Sequence, residues 1–155
     1  MSAVVPRTEP GDITDGPYDG LPAFWFNAQG AWLGCDNEGP DPCVFNVTGS
    51  TWDPKVDDDV ETYNTQIEVP PCPNFNHCPL QHVNFPDNFR GLSGIQLQAF
   101  VKNKPVMFFM DDLALGWYDN SCEAGMQRMA RPGTLGGSGH SGSRRKRVVR
   151  RTLMR

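Results

Sequence analysis

Apolar residues along this chain come in short runs broken by turn residues, without a clean helical stripe. Ala23–Ala28 (AFWFNA), Cys43–Gly49 (CVFNVTG) and Thr65–Val69 (TQIEV) are dense in aromatic and β-branched side chains and predict strands, with His82–Phe85 a weaker one. Gly94–Val101 (GIQLQAFV) alternates most clearly. Ile95, Leu97, Ala99 and Val101 share one face and Gln96 and Gln98 the other, the period of two that marks a strand with one dry face. Val106–Trp117 follows across Lys102–Pro105, and the two runs are expected to form an antiparallel hairpin. One short helix is predicted over Ser121–Met129, capped by Asn120 or Ser121.

Short strands at this spacing, separated by Pro/Gly turns, predict an all-β domain, an antiparallel β-sandwich or jelly roll over residues 23–131. Residues 1–22 are rich in Pro, Gly and Asp and read as an irregular lead-in. Residues 132–155 pass from a Gly/Ser-rich linker into RRKRVVRRTLMR; they cannot bury enough apolar surface to offset their ordering entropy, so a disordered basic tail is expected.

Composition sharpens this picture by exclusion. A length of 155 residues suits one domain. With 16 Gly and 14 Pro the chain does not read as a helical bundle or coiled coil, and no run approaches the roughly 18 apolar residues of a membrane helix. The net charge of −4 averages two opposites: residues 1–131 hold all 18 acidic and 7 basic residues, whereas 132–155 hold 7 basic and none acidic. A body at −11 repels nucleic acid, so no nucleic-acid partner is expected. Arg144–Arg147 (RRKR) reads first as an appended run with no selected role, and second as a dibasic processing site.

Five cysteines bear on compartment. Cys35 and Cys43 flank the turn-rich DNEGPDP, and Cys72 and Cys78 flank PNFNH. Pairing within each couple is the expectation among the 15 pairings that two bridges allow, each bridge stabilising by roughly 2–4 kcal/mol. The competing reading is zinc held near His77 and Cys78, although the spacing departs from the usual knuckle. Cys122 is left over. Asn46-Val47-Thr48 is a glycosylation sequon, with meaning only on the secretory route. The first ten residues hold no apolar core of a signal peptide, yet the cysteine pattern predicts an oxidising, extracellular setting.

Candidate chemistry is sparse. Asp111 and Asp112 adjoin on a strand, where successive side chains point to opposite faces, so they are not expected to form a carboxylate pair. An inward Asp satisfying backbone N–H groups is one reading of them and calcium ligation the other; calcium is the single cofactor considered and none is required. Asp53, Asp57, Asp58, Asp59 and Glu61 lack the order of an EF-hand and read as a solvated loop. Most aromatic rings are expected in the core, whereas Trp52 and Tyr118, each beside Asp and turn residues, are the rings expected to stand exposed and stack on sugar. His77, His82 and His140 have no nucleophile motif beside them, and neither a G-x-S-x-G elbow nor a phosphate loop occurs, so the chain does not read as an enzyme.

Three stretches, FWFNAQGAWLGCDNEGPDPCVFNVTG (24–49), VPPCPNFNHCPLQHVNFPDNFRGLSGIQLQAF (69–100) and VMFFMDDLALGWYDNSCEAGMQR (106–128), together resemble an uncharacterised family of fungal secreted or cell-wall-associated domains, over about residues 20–131. The resemblance implies an extracellular β-rich module similar to galactose-binding-like jelly rolls, and it carries no known activity. In that family the domain begins further upstream, so the chain is expected to enter it partway. The reading that results is a non-catalytic extracellular module that binds carbohydrate or cell-wall polysaccharide. Its alternatives are a secreted structural or adhesive protein-interaction domain and, behind it, a carbohydrate-active enzyme.

Overall fold

A computed structural model describes residues 3–5, 11–14 and 18–130. Nine strands and one helix follow in order: β1 Ala3–Val5, β2 Gly11–Thr14, β3 Phe26–Cys35, β4 Cys43–Asp53, β5 Asp58–Val69, β6 Gln81–Asn84, β7 Gly94–Val101, β8 Lys104–Val106, β9 Phe108–Trp117 and α1 Cys122–Ala130. They form two antiparallel sheets. The first has the order β1-β9-β3-β6; the second has β2-β7-β4-β5, with β8 paired to β7.

Alternation explains how the sheets meet. Cys43, Phe45 and Val47 of β4, Ile95, Leu97 and Ala99 of β7, and Leu33 and Ala31 of β3 are all fully or nearly fully buried and belong to one apolar cluster. Phe45 of the second sheet meets Phe108 of the first edge-to-face at 5.3 Å, so the core lies between the two inner faces. The polar half of the alternation builds the outer face of the second sheet. There Gln66 donates to Asn46 at 3.0 Å and Asn64 to Thr48 at 3.1 Å. The all-β expectation therefore holds, and the predicted tail lies outside the described residues.

Four expectations change. The lead-in contributes β1, which pairs with β9, and β2, which pairs with β7, because sheet edges supply backbone partners that composition cannot show. The hairpin expected between Gly94–Val101 and Val106–Trp117 does not form. Lys102 and Asn103 both adopt left-handed backbone and turn β7 into the short β8, which pairs at the sheet edge. Pro105, which has no N–H, suits that edge, and the chain then crosses to the first sheet as β9. Pro22 opens a 3-10 turn over Pro22–Phe24, so the first long strand starts at Phe26 and runs on to Cys35. The acidic stretch is no free loop: Asp53 and Asp58 face each other at the tip of the β4–β5 hairpin, and Asp59 and Glu61 lie within β5.

The helix keeps its expected place. Ser121 caps it, its hydroxyl accepting the Ala124 N–H at 3.2 Å. Arg128 in the last turn donates to the carbonyls of Ala23 and Asp119 and lies 4.6 Å over the Trp117 ring, which clamps α1 to the 3-10 turn and to the end of β9.

Candidate functional site

Along β3 the buried positions Ala31, Leu33 and Cys35 face the core, so Trp32 between them points outward and is 41% exposed. Two neighbours complete its row. Trp32 pairs with His82 on β6 and with Asp111 on β9, and directly opposed residues of an antiparallel sheet share a face. The indole and the imidazole meet edge-on at 5.2 Å. An aromatic ring, an imidazole and a carboxylate thus stand in line across three strands. The β3–β9 register shifts on either side of Gly30, and Asp112, with φ 48°, takes up the irregularity. Asp111 folds its carboxylate back onto the Asp112 N–H at 3.0 Å. Asp112 thus departs from regular strand backbone directly after Asp111.

One step toward Cys35, the same face becomes the floor of a cleft. Gly34 pairs with Phe109, and Leu80 lies directly over Gly34. Above them the segment 70–79 arches to enclose an open cleft of about 480 Å3, with Phe75 and His77 among its lining residues. Asn74, Phe75 and His77 all adopt left-handed backbone, at φ 57°, 50° and 52°. Such residues persist where the surroundings hold them. Here the Cys72–Cys78 bridge closes the arch, and the Cys72 N–H donates to the Asn37 carbonyl at 2.8 Å. Asn37 is buried and fully engaged: its side-chain amide donates to the Asp41 carbonyl and accepts from the Gly39 N–H. Those contacts shape the loop between Cys35 and Cys43, whose bridge joins the two sheets.

Both local cysteine pairings are thus present, which removes the zinc reading because neither Cys72 nor Cys78 retains a thiolate; Cys122 is free and exposed. Among the described residues no three His, Cys, Asp or Glu side chains gather as a metal site, so Asp111 and Asp112 find no third ligand there. Trp52 is half-buried with its ring over Gly20, while Tyr118 is 53% exposed beside Gly91. Both lie at the end of the sheets away from the Cys35–Cys43 bridge, and neither ring stacks on the other. Asn46 stands on the outward side of β4, its Oδ1 engaged by Gln66 and its amide nitrogen at the other end of the group. His140 and Arg144–Arg147 lie outside the described residues.

The sequence reading leaves Trp32 among the rings expected in the core. The signal was present in its flanks, since Ala31 and Leu33 on the dry side leave residue 32 on the wet one. Among the described residues the carboxyl whose acidity clearly departs from its ordinary value, Asp119, is remote from this face. The backbone N–H and hydroxyl of Ser121 hold the Asp119 carboxyl below its ordinary value against an opposing effect of burial, with a lesser attraction from Arg128 adding to the lowering.

Comparison with known proteins adds a family and nothing further. No curated protein and no solved structure matches the chain. A family model described as a domain of unknown function, DUF7371, matches residues 2–128, so the match takes in the N-terminal stretch that had been expected to precede the domain.

Proposed function

The chain belongs to the DUF7371 family, and from that premise we propose that it is a non-catalytic, extracellular β-sandwich module that binds neutral polysaccharide of the cell-wall kind on the outer face of its first sheet. The observation that carries this reading is the row His82–Trp32–Asp111. A ring exposed on a flat sheet offers an apolar platform to the C–H face of a sugar, and a carboxylate and an imidazole beside it offer an acceptor and a donor to its hydroxyls. A sheet is a rigid mount, so the platform is formed before ligand arrives. Two inner faces closing one core support the sandwich. Two disulfides in so small a domain support an oxidising setting.

The test is depletion of the protein from solution by insoluble β-glucan, cellulose and chitin. Trp32→Ala is expected to weaken retention on the preferred polymer by about tenfold, the loss of one stacking ring. Equal retention of wild type and Trp32→Ala would sink the reading. Trp52→Ala and Tyr118→Ala, at the far end of the domain, report whether those rings take any share.

A further inference from the structure

We infer that the cleft beneath the Cys72–Cys78 arch is a second subsite of the same face, so that the ligand is an extended oligosaccharide lying along β3, not a single sugar unit. This rests on the polysaccharide reading and specifies the form of its ligand.

The register makes the argument. Trp32 and Gly34 are two positions apart on β3, as Asp111 and Phe109 are on β9, so each couple lies on one face and is separated by about 7 Å. His82 near the start of β6 has Leu80 as the corresponding neighbour two residues back. The cleft floor, formed by Gly34, Phe109 and Leu80, is therefore the next row of the Trp32 platform. Gly34 has no side chain to stand between the rows; only Leu80, whose methyl lies 2.8 Å from where a Cβ would sit, covers it. A ligand that engages both rows has to reach across that spacing and then fill the cleft, which exceeds one ring.

The cleft has the chemistry to continue such a chain. Phe75 of the arch, a ring 57% exposed, and Phe109 of the floor both line the cleft, and Asp36 and Gln81 among its lining supply polar partners. Its volume of about 480 Å3 lies within the range of small-ligand sites. The lining thus holds both aromatic and polar groups, the two kinds of partner that sugar C–H faces and hydroxyls take. The occupant is thus the continuation of whatever chain rests on Trp32.

Isothermal titration with β-1,3- and β-1,4-linked glucose oligomers and β-1,4-linked N-acetylglucosamine oligomers, each of two and of six units, tests this. Two units are expected to bind weakly and six at least tenfold more tightly. Phe75→Ala, at an exposed position whose truncation spares the core, should remove most of that gain and leave the two-unit affinity unchanged. Trp32→Ala should weaken both lengths. Six units binding no tighter than two, with Trp32→Ala still damaging, overturns the cleft subsite and leaves the polysaccharide reading standing. So does a length gain indifferent to Phe75→Ala. Absence of binding by every oligomer, with retention on polymers unaffected by Trp32→Ala, overturns both.

Discussion

Three glycine-to-alanine substitutions, chemically identical, are expected to change stability with different sign because of what each new methyl meets. At Gly30 a Cβ would stand 2.3 Å from the Val83 carbonyl oxygen, inside the 3.0 Å that real Cβ atoms keep. Strand β6 would have to retreat from β3 by at least 0.7 Å. That retreat stretches ladder hydrogen bonds from about 2.9 Å to about 3.6 Å, beyond a real bond. The pairs at risk are the four from Gly30–Asn84 to Leu33–Gln81, with Val83 drawn out of the core. Overpacking against backbone costs about 1–3 kcal/mol, and each weakened bond adds about 0.5–1.5 kcal/mol. A loss near 2–3 kcal/mol is expected for Gly30→Ala, read as a lower urea midpoint at unchanged slope. At Gly125, inside α1, nothing lies within 4 Å, so Gly125→Ala should gain about 0.5–1 kcal/mol from helix propensity alone. At Gly34 the methyl meets only the flexible end of Leu80, so the change in stability should stay small. A Gly30→Ala protein as stable as wild type, or one less affected than Gly34→Ala, would refute the reasoning.

Three further outcomes follow from geometry already described. The Asp119 carboxyl is more acidic in the folded chain than in the unfolded one, so its ionised form stabilises the folded state above the ordinary carboxylate range, and this contribution disappears as pH falls through the lower folded value. Asp119→Asn should therefore flatten the acid limb of a thermal-midpoint-against-pH curve, and an unchanged limb would contradict the assignment. A limiting dithiol followed by alkylation and mass mapping should label Cys72 and Cys78 before Cys35 and Cys43, since Cys78 is exposed whereas Cys43 is fully buried; the reverse order would be fatal to that argument. Chain made through a secretory route should carry one N-linked glycan at Asn46, removed in intact-mass measurement by Asn46→Gln, and a mass equal to the bare polypeptide would count against it.

How far the sequence spoke depended on whether a signal was local. Period-two alternation located β7 and assigned its inner residues, because burial on one face is written into adjacent positions, and aromatic and β-branched density located β4. The Ser121 cap and the helix it starts were equally legible. Partners were not. Nothing near Val106–Trp117 says that β9 pairs with β3 instead of β7; the decision rests on the left-handed turn at Lys102–Asn103, which spends the hairpin on the three-residue β8. Likewise Ala3–Val5 and Gly11–Thr14 become strands only because β9 and β7 have free edges to offer. The site followed the same division. Trp32 was readable as outward, but its company with His82 and Asp111 joins residues about 50 and 80 positions away, which only the three-strand register reveals.

Among the described residues the outer edge of β5 carries no partner strand, which has its own consequence. Strand β5 closes the second sheet, twelve residues long and paired on one side by β4. An edge of that length is a template for adding another chain. Asp58, Glu61 and Glu68 give it three carboxylates and no cation, while Asp59 accepts from the buried Ser93 hydroxyl, so two such edges approaching each other bring six like charges into one seam. Like charge along that seam opposes edge-to-edge pairing of two copies. High salt screens that repulsion and leaves the backbone template behind.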